Sequence, residues 1–362
     1  MKFLFASGFQ HVPQAYGGLM SNTHEIALEL LQRGHEVAVA ANMLPNDLLG
    51  FRTRLMGKFI AKKKVHDRFL GYPTYRRWNI VDAIPDLVDV IRPDVAIVQA
   101  SHQMATARAL DRLSVPMVVY FHDVEFDLLD GDPRDLRQVQ YLSNSNFTAR
   151  KYLERFGISS NVMPPLFRAD DYRTARVPEN VTFINPKPVK GSELAYALVA
   201  QCPEIPFNFV ESRKLLDPER EFLDRFMEAH PNLSFTPRTK NMKRVYGKAK
   251  IVLAPSKWEE AWGRIASEAH FSGIPVLASN RGGLPESVGP GGPVLDADGP
   301  VENWALALRK LWNDECCYSE MSAAALDYSR RAEINPDFQI ASFLEVAEKA
   351  IRQQNMPRTV TS

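Results

Sequence analysis

Short apolar runs alternate with amphipathic stretches along most of the chain. The runs have the length and β-branched content of buried strands, and the stretches between them repeat apolar residues at helical spacing. Such alternation is typical of a parallel sheet that helices cover on both faces. The predicted strands are 3–6, 36–40, 95–98, 117–121, 181–184, 207–210, 233–236 and 251–254.

The alternation is interrupted once, between Pro164 and Asn180, by a polar segment that contains proline. We therefore predict two doubly wound, Rossmann-like α/β domains, 1–165 and 166–337, that face each other across a cleft. The C-terminal helix, 338–355, is expected to cross back onto the first domain. Ligands of such folds bind at the carboxyl ends of the strands, so functional residues are expected there.

The densest candidate chemistry follows the strand at 251–254. Glu260 and Glu268 stand on either side of Gly263, where a helical pattern begins. Carboxylates accept hydrogen bonds from the paired hydroxyls of a sugar or ribose, and N–H groups at a helix start attract phosphate. Taken singly, each glutamate is more simply explained as a solvated surface residue. Together they predict a nucleotide-sugar site, with phosphate contacts from Ala261, Trp262, Gly263, Arg264 and Ile265.

The same segment resembles the C-terminal motif of the family-four retaining glycosyltransferases, or glycosyl transferases group 1. The resemblance implies the two-domain GT-B fold and a metal-independent, hexosyltransferase-like reaction that retains the donor's anomeric configuration. It implies a UDP or GDP sugar as donor, no cofactor, and a role in polysaccharide, glycolipid or other glycoconjugate biosynthesis. The matching residues are Pro255-Ser256, Glu260, Trp262-Gly263, Glu268-Ala269, Gly273-Ile274-Pro275-Val276 and Gly282-Gly283-Leu284-Pro285-Glu286.

A weaker resemblance lies in the N-terminal half. Gly17 and Gly18 precede an amphipathic helix, and paired glycines let a ligand approach the backbone closely, although a plain connecting loop explains them too. In the family such a loop faces the donor phosphate and the acceptor. His122 follows the predicted strand 117–121, and the resemblance implies that a histidine here donates a hydrogen bond to the donor sugar. A lone histidine is otherwise more often structural.

Cations for the donor diphosphate are expected near Lys190. The resemblance implies that this lysine binds the diphosphate, and Glu260, His122 and Lys190 are the predicted catalytic residues. The family also places an arginine five or six residues earlier, where this chain reads Asn185-Pro186-Lys187. Lys187 is a candidate substitute, although lysine lacks the bidentate geometry of arginine. Arg238 either lines the same cleft or is a solvated loop residue.

The composition limits which classes of binding partner and which cellular compartment are expected. Lys and Arg total 44 against 43 Asp and Glu, so no overall charge favours nucleic acid. Three cysteines make neither a disulfide framework nor a spaced zinc site, which predicts a cytoplasmic protein. No apolar run approaches the roughly 18 residues of a membrane span. The Asp-x-Asp sequences at 130–132 and 296–298 are interpreted as a helix cap and a turn, and no metal site is predicted.

Positive charge is concentrated in one segment. Residues 52–77 contain nine Lys and Arg, with Asp67 as the one acid, interleaved with apolar residues. Such a stretch either binds an anionic membrane or acceptor, or forms a solvated helix face. The first interpretation predicts peripheral contact with the inner face of the membrane and a lipid-linked or anionic acceptor. Replacing Lys62, Lys63 and Lys64 by glutamine is then expected to weaken membrane binding.

Other functions fit the same residues. A nucleotide-sugar epimerase or hydrolase of this fold would use the same donor site without an acceptor. A protein that binds a sugar nucleotide without turnover would account for the missing arginine near 185, although Glu260 and Glu268 argue against it. A dinucleotide dehydrogenase is disfavoured because the first strand is not followed by Gly-x-Gly-x-x-Gly.

Overall fold

The structure, a computed structural model, describes residues 1–44, 46–56 and 65–355. The chain divides into two compact units. Unit 1 comprises Met1–Phe167 together with the C-terminal segment from Ala332, and unit 2 comprises Arg168–Arg331. None of the described helices has the length and hydropathy of a membrane span.

Unit 1 is built on a parallel sheet of seven described strands. Their bounds are β1 (Lys2–Gln10), β2 (Glu36–Asn42), β3 (Thr74–Arg77), β4 (Val95–Gln99), β5 (Met117–Phe121), β6 (Val139–Ser143) and β7 (Asn161–Val162). The strand order is β3-β2-β1-β4-β5-β6-β7. β4 and β5 are buried along their whole length, as the near-continuous apolar sequence of a strand covered on both faces requires.

Helices cover both faces of this sheet. They are α1 (Gly18–Gln32), α3 (Ile80–Ile91), α4 (Gln103–Arg112), α5 (Asn146–Phe156) and the C-terminal α13 (Pro336–Gln354). Unit 1 also contains α2 (Leu48–Met56), in which only Gly50 is buried. α13 packs on the face that also carries α1, where Phe343 stacks on Phe5 with ring centroids 6.2 Å apart. The C-terminal helix therefore completes the hydrophobic core of unit 1.

Unit 2 is built on a second parallel sheet, of six described strands. Its strands are β8 (Asn180–Ile184), β9 (Phe207–Val210), β10 (Leu233–Thr236), β11 (Ala249–Ala254), β12 (Val276–Ser279) and β13 (Val294–Leu295). Its helices are α6 (Ser192–Gln201), α7 (Asp217–Ala229), α8 (Met242–Lys248), α9 (Arg264–His270), α10 (Leu284–Val288), α11 (Val301–Asn313) and α12 (Glu315–Tyr328).

The strand order of unit 2 is β10-β9-β8-β11-β12-β13. The strand numbers decrease up to β8 and increase from β11, so the order reverses between these two parallel strands. These two strands are hydrogen-bonded neighbours although two other strands of the sheet, β9 and β10, lie between them in sequence. The carboxyl ends of neighbouring parallel strands lie at the same edge of the sheet, and α/β folds bind ligands at the point where the strand order reverses. The residues after Ile184 and after Ala254 are therefore placed together by topology.

The basic segment 52–77 is not one continuous surface. Its C-terminal part is β3, in which Arg76 is 1% exposed and pairs with Asp67 at 2.8 Å. The guanidinium also donates to the carbonyl oxygens of His11 at 3.1 Å and Val12 at 2.8 Å. The interpretation of this segment as a solvated or membrane-facing stretch is wrong for Arg76, because a buried ion pair satisfies its charge. Lys62, Lys63 and Lys64 lie outside the described residues.

Candidate functional site

In unit 2 the loop after β11 folds against the loop after β8. The backbone N–H groups of Lys257 and Trp258 both donate to the Val189 carbonyl oxygen at 3.1 Å. Gly191 has a φ of +82°, and a Cβ there would lie 1.9 Å from the carbonyl oxygen of Pro255. Only glycine permits both the conformation and the approach. The Lys-Gly and Pro-Ser motifs are thus two halves of one contact.

This contact brings Lys190 and Glu260 together. The Lys190 ammonium forms an ion pair with Glu260 Oε1, and the two side chains are 30% and 18% exposed. The Ser256 hydroxyl donates to the same carboxylate oxygen at 3.0 Å. A half-buried ammonium and carboxylate therefore stand at the switch point of the sheet, where each has access to a ligand. Ser256 was not among the predicted site residues, although it belongs to the Pro-Ser motif.

Two glycines after β12 support Glu260 from another side. A Cβ on Gly282 would lie 2.2 Å from the Glu260 carbonyl oxygen, and a Cβ on Gly283 would lie 2.5 Å from that of Ala261. Any larger residue at either position would push the glutamate loop away from Lys190. The Gly-Gly of the last motif therefore fixes the backbone that carries Glu260.

Glu268 is held on α9 by two donors. The Tyr246 hydroxyl of α8 donates to Glu268 Oε2 at 2.8 Å, and Arg264 Nε lies 3.4 Å from Oε1. Burial raises the pKa of Tyr246 well above its ordinary value, and the charge of Glu268 adds to this effect, so the hydroxyl stays a proton donor. Sequence reasoning missed Tyr246, because an aromatic residue on an amphipathic helix looks like any core residue.

Two of the residues between the glutamates, Trp262 and Gly263, are closely packed. Trp262 is 3% exposed, and its indole N–H donates to Ser267 Oγ at 3.0 Å. Gly263 has a φ of +86°, and a Cβ there would lie 2.5 Å from Leu284 Cδ2. α9 begins at Arg264 and spans seven residues, with Ile265 in its first turn. Trp262 and Gly263 therefore set the direction in which α9 leaves the loop.

In unit 1 His122 is half-buried directly after β5. Its Nε2 lies 3.1 Å from Gln99 Oε1 at the end of β4, and its ring packs on that of Tyr120 with centroids 4.0 Å apart. Gln99 Nε2 in turn donates to Thr23 Oγ1 of α1 at 2.6 Å. Burial lowers the pKa of His122 to about 3, so the imidazole is neutral near pH 7.

The Gly17-Gly18 loop lies between β1 and α1. Gly17 has extended backbone, with φ 172°, and a Cβ there would meet Met20 Sδ only at the ordinary distance of 3.4 Å. Local sterics therefore do not require glycine at position 17. The preceding turn is anchored by the buried Arg76 through its bonds to His11 and Val12.

Comparisons with known proteins match both units. The family description Glycosyltransferase Family 4 matches residues 16–165, and Glycosyl transferases group 1 matches residues 218–331. The chain belongs to the group 1 glycosyltransferases.

A curated relative is the D-inositol 3-phosphate glycosyltransferase of Corynebacterium diphtheriae, 35% identical over 107 residues, which are 29% of this chain. That match covers 23% of the relative's own length. A glycosyltransferase structure from Rickettsia africae superimposes with a TM-score of 0.74 at 14% identity, covering 97% of this chain and 98% of that one. HepE of Anabaena, solved with UDP, gives 0.74 at 17%, covering 96% and 100%. These neighbours confirm the predicted GT-B fold class.

This group 1 glycosyltransferase departs from its family around Lys187. The Lys187 ammonium forms an ion pair with Glu219 on α7, and these side chains are 18% and 28% exposed. Asn185, five residues before Lys190, has a φ of +64° and a buried Oδ1 without a partner among the described residues. Arg238 is exposed after β10, an edge strand that β9 separates from β8. The structure thus places Lys190 at the switch point with Glu260, whereas Lys187 is committed to Glu219.

The Asp-x-Asp sequences have local roles. Asp130 accepts from the Met104 N–H of α4 at 2.9 Å, and Asp132 accepts from the Arg134 N–H at 2.8 Å. Asp298 pairs with Arg281, and its own N–H donates to Asp296 Oδ1 at 3.3 Å. These contacts agree with a cap and a turn. Among the described residues no three His, Cys, Asp or Glu side chains are grouped as metal ligands.

Proposed function

We propose that this protein transfers a sugar from a nucleoside diphosphate sugar to an acceptor hydroxyl with retention of anomeric configuration. The observation that carries the proposal is the Lys190–Glu260 pair with Ser256, at the point where the order of the unit 2 strands reverses. An ammonium beside a carboxylate provides one group for a diphosphate and one for sugar hydroxyls. Glu268, held by Tyr246, supplies a second carboxylate for ribose.

The ion pair suggests how donor binding organises the site. A diphosphate that binds the Lys190 ammonium competes with Glu260 for it, and so releases the carboxylate to accept hydrogen bonds from the sugar. Phosphate recognition and sugar recognition are then coupled through one pair of side chains. The ammonium also stabilises the charge that develops on the departing diphosphate in the transition state.

Retention follows in this proposal from reaction on one face of the sugar. The bond from the anomeric carbon to the diphosphate oxygen breaks while the bond to the acceptor oxygen forms on the same side. The acceptor hydroxyl gives its proton to the departing diphosphate. In this scheme Glu260 and Glu268 accept hydrogen bonds from sugar and ribose hydroxyls, and neither acts as a nucleophile. Product NMR tests this step, and an inverted anomeric configuration would reject it.

Related proteins suggest which substrates to test first. HepE of Anabaena has been solved with UDP and with UDP-glucose, which favours uridine nucleotides as initial donors. The corynebacterial relative is named for D-inositol 3-phosphate, which makes anionic polyols a first acceptor class. We further propose a cytoplasmic location, where nucleotide sugars are available.

We also propose peripheral contact with an anionic bilayer through α2. Leu48, Phe51 and Leu55 recur at helical spacing on one face and are 88%, 59% and 44% exposed. The Arg52 guanidinium lies 5.2 Å from the ring centroid of Phe69, itself 58% exposed. Apolar side chains beside arginine suit the boundary between anionic headgroups and acyl chains. A lipid-linked acceptor is the corresponding acceptor class.

Vesicle sedimentation tests this contact. Replacing Leu48, Phe51 and Leu55 together by serine should weaken binding to anionic vesicles by roughly tenfold or more, because their apolar area no longer inserts. The control is Leu306→Ser, a similarly exposed leucine (66%) in unit 2. Equal sedimentation of the triple variant and the wild type would contradict membrane contact and favour a water-soluble acceptor.

Thermal shift against a panel of nucleotide sugars, followed by product analysis with and without acceptors, tests the transferase function. A donor at a hundred times its Kd should stabilise the protein by about 2.7 kcal/mol. Transfer that requires an acceptor supports the proposal. Release of free sugar, or a changed sugar on the nucleotide, without acceptor would indicate the hydrolase or epimerase. Binding without any turnover across the acceptor panel would indicate a sugar-nucleotide-binding protein.

A further inference from the structure

A chain of three hydrogen bonds in unit 1 connects α1 to the candidate histidine. It runs from His122 to Gln99 at 3.1 Å, from Gln99 to Thr23 at 2.6 Å, and from Thr23 to the Leu19 carbonyl oxygen at 3.0 Å. Thr23 and Gln99 are each 2% exposed. Hydrogen bonds this deeply buried are not exchanged for bonds to water, so their direction is set by the protein.

The donor and acceptor of each hydrogen bond can be assigned by starting from the Leu19 carbonyl oxygen. The Leu19 carbonyl oxygen can only accept, so the single proton of the Thr23 hydroxyl is directed to it. The hydroxyl oxygen is then left as an acceptor, and it must receive the Gln99 amide N–H. This orientation turns Gln99 Oε1 toward His122, where it can only accept from Nε2. A neutral imidazole has one N–H, so Nδ1 is left as an acceptor.

We propose that Thr23 and Gln99 are positioning residues that hold His122 in the tautomer protonated on Nε2, so that Nδ1 accepts a hydrogen bond from a substrate hydroxyl. The role differs from the donor role expected from the sequence, because Gln99 already takes the only N–H of the ring. The proposal rests on the proposed transferase function only for the identity of the substrate. The tautomer itself is a property of the protein alone.

Long-range proton–nitrogen NMR of the full chain labelled with ¹⁵N-histidine measures the tautomer directly. His122→Asn assigns the signal, because it removes one histidine. The expected spectrum shows a pyrrole-type Nε2 and a pyridine-type Nδ1 for His122. A pyrrole-type Nδ1, or a ring protonated on both nitrogens at pH 7, would overturn the proposal. This measurement needs no substrate, so it decides the tautomer even if the transferase function fails.

Thr23→Val and Thr23→Ser form a matched pair that tests the positioning role. Valine keeps the shape of threonine but removes the hydroxyl, so the Gln99 amide loses the bond that orients it and can present its N–H to His122. The Nδ1 signal should then move toward the pyrrole type, and kcat/KM should fall roughly three- to tenfold, the loss of about one hydrogen bond. Serine keeps the hydroxyl and should restore both the spectrum and the rate.

Thermal melting within about 2 °C of the wild type establishes that the valine variant is folded. A folded Thr23→Val protein with the wild-type His122 spectrum would show that Thr23 does not set the tautomer, and would refute the positioning role of the hydrogen-bond chain. A shifted spectrum with an unchanged rate would refute the acceptor role of Nδ1. If the protein transfers sugar from none of the nucleotide sugars tested, the proposed transferase function is refuted. The spectra would still decide whether Thr23 and Gln99 set the His122 tautomer.

Discussion

Replacing Glu260 with glutamine is the most direct test of the unit 2 site. Glutamine keeps the size of the side chain and an acceptor oxygen for Lys190 and Ser256, and it removes the negative charge. A hydrogen bond to a charged group contributes about 1.5–3 kcal/mol, and the 30% and 18% exposure of the pair reduces this to about 1 kcal/mol of folding stability. A fall in Tm of about 2–4 °C is expected.

The effect on the reaction should be much larger than the effect on folding. If Glu260 accepts hydrogen bonds from the donor sugar in the transition state, loss of its charge removes about 2–4 kcal/mol of stabilisation. That energy corresponds to a fall of roughly 30- to 1,000-fold in kcat. Donor binding should change less, because Lys190 remains and is no longer neutralised by a carboxylate.

Initial rates with the best donor of the thermal-shift panel measure this effect. Glu259→Gln is the matched control, since it makes the same charge change at the adjacent, exposed position, and it should stay within about twofold of the wild-type rate. A folded Glu260→Gln protein within about threefold of wild type would refute the assignment of this glutamate to the donor sugar.

Three further predictions concern other groups. Tyr246→Phe should weaken binding of the nucleoside diphosphate roughly three- to tenfold, seen by calorimetry, with kcat nearly unchanged, because Glu268 loses one of its two donors; a loss confined to kcat would contradict the ribose role of Glu268. Transfer activity should persist in EDTA, and inhibition reversed by magnesium or manganese would mean that the Asp-x-Asp aspartates bind a catalytic metal. Burial, with a smaller effect of the nearby Arg331 charge, lowers the pKa of His270 to about 3, so as the pH falls the histidine is protonated in the unfolded state before it is protonated in the folded state. This difference should lower the unfolding free energy by about 2 kcal/mol between pH 6.5 and pH 5. Denaturant titrations at the two pH values should therefore show that His270→Leu loses less unfolding free energy than the wild type. Equal losses in the two proteins would contradict the role of His270.

Much of the fold could be predicted from the sequence because burial leaves a periodic trace. β5 is apolar throughout, and β4 is apolar up to its last residue, Gln99. Both strands lie where the pattern predicted them, since strands covered on both faces tolerate few polar residues. β3 and α2 are among the elements that were not predicted. β3 is short and carries the charged Arg76, and the apolar side chains of α2 lie on an exposed face, so neither shows the pattern of a buried element. The motif after β11 located the candidate site without any structure.

The sequence by itself determined the α/β class, the family and the segments that carry the candidate chemistry, because periodicity and motif spacing are local properties of a chain. Only the tertiary structure decided which of those segments meet. Lys190 reaches Glu260 across 70 positions because β8 and β11 are neighbours in the sheet, and Lys187 pairs with Glu219 on α7, the helix after β9, the other neighbour of β8. Strand order likewise brings Gln99 to His122 and sets which ring nitrogen is left for a substrate. Pairings of this kind depend on how whole elements pack, and no spacing of residues along the chain records them.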